Sequence, residues 1–190
     1  MRAFAESTLA FRESIRRFRE STRVQQESMR MDALVNVRKS CRVLDSGTVT
    51  NAFGDCARAE PAFRAAAATG LPSADVYVGL ATCLGRRRDL SGAEAALANA
   101  QRLEPENPVV LANLGILHAT KGNLSAAIEA LTRAIALDPS LLEARFNLAL
   151  AYARAGRRDD AGVTARELLA RLPENAPQRS EVERLLKAVK

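Results

Sequence analysis

The side chains that most often perform catalysis or bind metals are scarce in this sequence. His118 is the only histidine of the 190 residues, and Cys41, Cys56 and Cys83 are the only cysteines. The cysteines lack the two-residue spacing of a zinc site, and a structural zinc ion takes about four soft ligands. A glycine-rich loop that would hold a phosphate group is also missing. We therefore expect neither a metal site nor a cofactor.

The remaining reactive side chains have structural explanations. His118 and Cys83 occupy positions at which a helix packs on its neighbour, Asp159-Asp160 begins a helix, and Arg86-Arg87-Arg88 ends one. Acidic residues at the start of a helix and basic residues at its end interact favourably with the helix dipole. Catalysis instead needs reactive groups that converge. We therefore predict that the chain is not an enzyme.

The charge of the chain is unevenly distributed. It has 28 basic and 22 acidic residues, a formal net charge of +6. Residues 1–50 contain 10 basic and 6 acidic side chains, and the remaining 140 residues contain 18 and 16. A surface that binds phosphate groups clusters its cations, whereas here glutamates are interleaved with the N-terminal arginines. The pattern argues against a nucleic-acid or anionic-membrane partner.

The sequence also lacks the features of an exported or membrane-spanning chain. Charged residues interrupt the first 30 residues every two or three positions, so no secretory signal is predicted. No run of about 18 apolar residues exists that would form a transmembrane helix. We expect a cytoplasmic location and reduced cysteines, and a Cys41–Cys56 bridge only if the protein were exported.

The elements that position these residues repeat at a fixed interval of 34 residues. The repeated residues are Leu80, Leu114 and Leu148, each followed by a small residue, then Ala93, Ala127 and Ala161, then Pro105, Pro139 and Pro173. The interval defines three units, 74–107, 108–141 and 142–175, without insertion or deletion. Each unit reads as two helices, so the predicted fold class is all-α.

The middle unit shows the helix signals most fully. Asn107 is a suitable N-cap for a helix that begins at Pro108, where the missing N–H costs nothing. Gly122-Asn123 ends that helix and begins the next one, which stops before Pro139 because proline disfavours helix in the preceding residue. The small residue Gly115, opposite Ala127, allows the two helices of the unit to approach closely.

These residues together resemble the tetratricopeptide repeat (TPR) family. The family pattern has Leu-Gly in the first helix, an aromatic residue three positions later, alanines in the second helix and a proline near the end of the unit. The sequence follows it at Leu114-Gly115, at Tyr152 and at the repeated alanines and prolines. It departs from it at the usual tryptophan, which is replaced by Tyr77, Leu111 and Arg145. The resemblance implies a helical solenoid that binds a protein or peptide partner without catalysis.

In this family the first helix of each unit lines a concave groove. Mapped onto this sequence, the groove positions are Asp75, Val78, Thr82 and Arg86 in the first unit, Val109, Asn113, Ile116 and Thr120 in the second, and Glu143, Phe146, Asn147, Leu150 and Arg154 in the third. Asn113 and Asn147 share one position and look like the asparagine ladder of O-GlcNAc transferases, although local packing also explains asparagine there. Glu143 and Asn147 replace the basic residues of the clamp that binds chaperone tails in some family members.

The flanks are assigned to the same architecture. Residues 176–190 form a capping helix with an inner face of Val182, Leu185, Leu186 and Val189. Because Pro61 favours the start of a helix, residues 60–73 are interpreted as a degenerate half-repeat whose helix begins near Glu60, an unrelated packing helix being the alternative. Residues 45–59 are interpreted as a linker and residues 1–44 as an amphipathic helix.

Residues 4–31 of that N-terminal segment carry a shorter period of seven residues, with Glu-Ser at the same place in each seven. Phe11, Ile15, Phe18 and Met29 lie on the predicted seam. Three interpretations stay open: an amphipathic helix that packs on the solenoid or is loosely ordered, a coiled coil that makes a homo-oligomer, and a surface for an anionic partner. For the whole chain, the alternative to a peptide-binding scaffold is an accessory domain or subunit of an enzyme or of a secretion or assembly complex.

Overall fold

The computed structural model describes residues 56–68 and 73–189. It divides the chain into two compact units, Met1–Pro72 and Ser73–Lys190, and each is described here by itself. The predictions for residues 1–44, which include the heptads, Phe11, Ile15, Phe18, Met29 and Cys41, lie outside the described residues.

Eight helices account for the ordered elements of the described residues, and these residues contain no strand. The first unit contains α1 (Cys56–Ala68). The second contains α2 (Ala74–Arg86), α3 (Leu90–Leu103), α4 (Pro108–Lys121), α5 (Leu124–Leu137), α6 (Leu142–Arg154), α7 (Arg158–Arg171) and α8 (Arg179–Ala188). The predicted all-α fold class is confirmed.

Helices α2 to α7 form three antiparallel pairs that coincide with the three predicted units. Within each unit the first helix packs on the second, and each second helix packs on the first helix of the next unit. We call residues 87–89, 122–123 and 155–157 the intra-repeat turns. Because the helices alternate in direction, these turns lie at one edge of the solenoid, and the turns between repeats lie at the opposite edge. The predicted repeat phase is confirmed.

The ends of α4 follow the sequence signals. The Asn107 side chain accepts hydrogen bonds from the backbone N–H groups of Val109 at 2.8 Å and Val110 at 3.3 Å, and Pro108 is the first helical residue. Gly122 ends the helix in the left-handed conformation, with φ of 86°. These contacts satisfy backbone groups that a helix end leaves without a partner.

Small residues set the distance between α4 and α5. Ala127, Leu131 and Ala134 of α5 are fully buried, and Gly115 of α4 faces them. A Cβ atom on Gly115 would lie 2.5 Å from Leu131 Cγ and 3.2 Å from the Ala127 carbonyl oxygen. Real Cβ atoms do not approach so closely, so glycine at this position is a packing requirement of the repeat.

We predict that Gly115→Ala lowers the free energy of unfolding by about 1–3 kcal/mol, because Leu131 is fully buried and has no room to move. Gly85→Ala in α2 is the matched control, since its added Cβ meets nothing within 4 Å. The control is expected to raise stability by up to about 1 kcal/mol through helix propensity. Urea unfolding of both variants measures the difference, and equal stabilities would contradict the packing argument.

Arg145 of α6 stands where the family has tryptophan, and its side chain is buried. Its Nη1 donates to Glu167 Oε2 of α7 at 3.0 Å, and its Nη2 donates to the Pro139 carbonyl oxygen at 3.4 Å. The guanidinium thus joins the turn before α6 to the second helix of the same repeat. A charge-assisted bond to Glu167 replaces part of the apolar contact that an aromatic ring would make.

The C-terminal helix packs on the last repeat but begins later than expected. Residue Val182 is fully buried, and Leu185 and Leu186 pack beside it against α7. The Arg179 guanidinium donates to the carbonyl oxygens of Leu169 and Leu172 at the end of α7. Turns occupy the residues before Arg179, so the helix starts there rather than at the beginning of the predicted 176–190 segment.

The boundary predicted near Glu60 is wrong. Helix α1 begins at Cys56, so residues 56–59, which we assigned to the linker, are helical and Pro61 lies inside the helix. Ala59, Phe63 and Ala66 are buried at helical spacing, so the buried face extends across the proline. The missing N–H of Pro61 removes a single backbone hydrogen bond, which this burial offsets. Whether residues 60–73 are a half-repeat stays a prediction.

The three intra-repeat turns share one geometry but not one residue type. Asp89, Asn123 and Arg157 each donate a backbone hydrogen bond of 2.9 Å to the carbonyl oxygen five residues earlier. The residue before each donor has a positive φ: 66° at Arg88, 86° at Gly122 and 76° at Gly156. Only glycine adopts this region without steric cost, so Arg88 is strained where its two equivalents are not.

We predict that Arg88→Gly raises the free energy of unfolding by about 1 kcal/mol, because it removes this strain. Gly122→Ala and Gly156→Ala introduce the same strain and are expected to lower stability by about 1 kcal/mol each. Their added Cβ atoms meet nothing within 4 Å, so the backbone conformation is the only cause. Urea unfolding tests all three, and a destabilised Arg88→Gly variant would contradict the interpretation.

Candidate functional site

The first helices of the three repeats form one continuous wall. Helix α2 contacts α4, and α4 contacts α6. No contact of this extent joins α3 to α5 or α5 to α7 within the described residues. Since the first helices approach one another more closely than the second helices do, the described solenoid curves with α2, α4 and α6 on its inner side.

All thirteen groove positions keep solvent access on this wall. Asp75, Arg86, Val109, Thr120, Glu143 and Arg154 are exposed, and Val78, Thr82, Asn113, Ile116, Phe146, Asn147 and Leu150 are partly buried. Two further positions that the family pattern places in the groove, Gly79 and Ala112, are buried in the wall itself. They are removed from the set of candidate contacts.

The polar side chains in the middle of the wall are anchored to their own helices. Asn113 Nδ2 donates to the Val109 carbonyl oxygen at 2.8 Å, and Asn147 Nδ2 donates to the Glu143 carbonyl oxygen at 2.9 Å. Each amide therefore keeps its Oδ1 acceptor and its second N–H for another partner. Anchoring also fixes the orientation of the amides in advance, which reduces the entropy lost when a ligand binds.

Apolar side chains lie beside these amides in the second and third repeats. Ile116, Phe146 and Leu150 are each partly buried. Phe146 also packs against the core that α6 and α7 share with Val182 of the capping helix. Its ring therefore contributes to the stability of the last repeat as well as to the candidate surface.

The ends of the inner helices carry opposite charges in the first and third repeats. Asp75 and Glu143 lie near the start of α2 and α6, and Arg86 and Arg154 are the last residues of the same helices. The pKa of Glu143 is raised above its ordinary value of 4.5 by desolvation, although the residue is exposed on its own surface. An accessible carboxyl that is nevertheless desolvated is typical of a concave surface, where neighbouring protein displaces water from several sides.

The raised pKa of Glu143 predicts the sign of a pH effect on stability. The folded state binds the proton more tightly than the unfolded state, so the ionised carboxylate opposes folding at neutral pH and the protonated carboxyl does not. We therefore expect Glu143→Gln to be more stable than the parent protein at pH 7. The advantage should disappear as the pH falls through the raised pKa to below 4.5. Urea unfolding across that range measures it, and a constant difference would contradict the desolvated position.

Other ionisable groups lie in ordinary environments. The pKa of Glu94 is lowered by its hydrogen bond and charge interaction with Lys121 at 2.9 Å, which links α3 to α4. The pKa of Asp138 is lowered by hydrogen bonds from the hydroxyl and backbone N–H of Ser140. His118 is partly buried in α4, and its Nδ1 has no hydrogen-bond partner among the described residues.

Two structural absences concern the described residues only. Within 56–68 and 73–189, no group of three or more histidine, cysteine, aspartate or glutamate side chains is placed to hold a metal ion. Over the same part of the chain, every helix is too short or too polar to cross a membrane.

The residue that sequence reasoning missed is Arg88. Its alignment with Gly122 and Gly156 at the 34-residue interval is visible in the sequence. The repeat was recognised from its leucines, alanines and prolines, so the one non-glycine residue at a left-handed position was assigned only to the end of a helix.

Comparison with protein families decides the family. A tetratricopeptide repeat model matches residues 52–108, and a second TPR repeat model matches residues 118–156. The chain is a tetratricopeptide repeat protein. The first match begins before α1, and the second runs from the last turn of α4 to the end of the third α-helical pair's first turn at Gly156. Among curated protein sequences, none matches the chain significantly.

Solved structures of TPR proteins have the same fold. PilF of Pseudomonas aeruginosa has a TM-score of 0.68 and 19% identity, over 87% of this chain and 69% of PilF. YrrB, described as a TPR protein with an unusual peptide-binding site, has a TM-score of 0.55 and 22% identity, over 63% of this chain and 62% of YrrB. The first TPR domain of Spaghetti (RPAP3), bound to the HSP90 peptide SRMEEVD, has a TM-score of 0.55 and 18% identity, over 62% of this chain and 93% of that domain. The TPR fold of the described repeats is that of a protein–protein interaction scaffold.

Proposed function

We propose that the wall formed by α2, α4 and α6 binds an extended peptide segment of a partner protein, without catalysis. The observation that carries the proposal is the pair of anchored amides, Asn113 and Asn147, one repeat apart on an accessible concave surface. An extended backbone presents N–H and C=O groups alternately, and each amide offers the complementary acceptor and donor.

The surrounding side chains support a peptide rather than a compact small molecule. Ile116, Phe146 and Leu150 offer partly exposed apolar area beside the amides, on which alternate side chains of an extended ligand would rest. The charged ends of α2 and α6 give the groove one acidic rim, with Asp75 and Glu143, and one basic rim, with Arg86 and Arg154. YrrB and the RPAP3 domain, both described with peptide sites, support the same use of the fold here.

The ligand of the RPAP3 domain is not the ligand we propose. Its HSP90 peptide ends in acidic residues, and the clamp for such chaperone tails requires basic residues in the first helix of the third repeat. Glu143 and Asn147 occupy those positions in this chain, and the desolvated Glu143 would repel a carboxylate. An internal peptide segment therefore fits the groove better than an acidic C-terminus.

The test is selection of peptide ligands from a random displayed library with the full chain. We expect Asn113→Ala combined with Asn147→Ala to weaken the selected peptides by about 20-fold or more, since each amide loses hydrogen bonds worth about 1 kcal/mol. Asn123→Ala is the matched control, because Asn123 is exposed in an intra-repeat turn and its side chain makes no capping hydrogen bond.

Phe146 is left unchanged in this experiment because its ring packs on the core, and its removal would destabilise the last repeat. Circular dichroism must show that the double variant keeps its helix content. Selected peptides that bind the double variant as tightly as the parent would overturn the groove proposal.

A further inference from the structure

The first intra-repeat turn is the most basic turn of the described solenoid. Arg86, Arg87 and Arg88 follow one another there, and all three are exposed. Asp89 is the only acidic residue of the turn, and its carboxylate is already engaged as the N-cap of α3, accepting the Gly92 N–H at 2.9 Å. The positive charge of this turn is therefore only weakly balanced by its own residues.

The equivalent turns of the other two repeats are neutralised. Lys121, at the second turn, pairs with Glu94 at 2.9 Å. At the third turn Arg157 pairs with Asp160 at 2.7 Å and lies over the Tyr152 ring, and Asp159 is adjacent. The three repeats are structurally equivalent, so the difference between the turns lies in the side chains and not in the fold.

Arg88 provides an independent observation at the same place. It adopts φ of 66° where both equivalent residues are glycine, and glycine would be the more stable choice. Strained residues of this kind concentrate at functional sites, where a specific side chain is retained despite the strain. The strained residue is also the third arginine of the basic turn.

We propose that this turn is a second interaction surface, separate from the concave groove, and that it binds an acidic segment of a protein partner. The planar guanidinium group matches a carboxylate with two parallel hydrogen bonds, and Arg88 places such a group at the tip of the turn. Arg86 also stands at the rim of the groove, whereas Arg88 does not belong to the groove positions. Arg88 is therefore the residue that distinguishes the two surfaces.

The charge distribution favours an acidic protein segment over a nucleic acid. A protein that follows a phosphate backbone needs cations spread along an extended track. Here the cations concentrate in one turn, and the next turns along the same edge are paired with Glu94 and Asp160. A short acidic segment fits a patch of this size, and the TPR fold itself is an interaction scaffold for proteins.

The experiment measures binding of a fluorescently labelled oligoglutamate peptide to the full chain at low ionic strength. We expect Arg88→Gly to weaken binding about threefold, the effect of losing one exposed ion pair, and Arg88→Lys to weaken it less because the charge is kept. Arg158→Gln is the matched control, since Arg158 is an exposed arginine at the third turn. The Asn113→Ala and Asn147→Ala variant should bind oligoglutamate normally, which separates this surface from the groove.

Removal of Arg88 relieves strain, so reduced binding by Arg88→Gly could not be attributed to unfolding, and circular dichroism verifies this. Unchanged binding by Arg88→Gly, or an equal loss in Arg158→Gln, would overturn the proposal. Oligothymidylate and vesicles with anionic lipid are tested in parallel at the same ionic strength. Tighter binding of either probe than of oligoglutamate, lost in Arg88→Gly, would show that the acidic protein segment is the wrong partner class.

Discussion

The close approach of the two helices within each repeat is the constraint on which the rest of the structure depends. In the middle repeat it requires Gly115, because any Cβ there would collide with the buried Leu131. The small residues at the equivalent positions, Ala81 and Ala149, are buried as well. When each pair is held at this distance, the first helices come into contact with one another and the inner wall forms. The groove is thus a consequence of small residues that never touch a ligand.

Much of the fold could be predicted from the sequence because its signals are local. The start of α4 follows from Asn107 and Pro108, and its end follows from Gly122. The start of α1 was misplaced because Pro61 was weighed as a local signal, whereas burial of Phe63 and Ala66 depends on tertiary packing. Propensity is a weak signal when it opposes a buried face.

The candidate site was predicted less completely, since its properties depend on how neighbouring helices stand in space. The family pattern locates Asn113 and Asn147, but it does not reveal that both amides bond to their own helices. Nor does it reveal the desolvation of Glu143, which requires the curvature of the whole wall. The burial of Gly79 and Ala112 likewise follows from the packing of one repeat on the next. Sequence position alone therefore identifies a larger set of contacts than the surface offers.

The net charge of +6 describes this protein poorly, because helix direction sorts the charges of the solenoid. Helices of alternating direction bring all intra-repeat turns to one edge, where Arg86, Arg87, Arg88, Lys121, Arg157 and Arg158 lie. The turns between repeats, at the opposite edge, carry Glu104, Glu106, Asp138 and Glu174. Screening limits each field to about 10 Å at ordinary ionic strength, so a partner responds to the edge it meets and not to the total. A nearly neutral solenoid can therefore select an acidic segment at one edge without attracting acidic molecules in general.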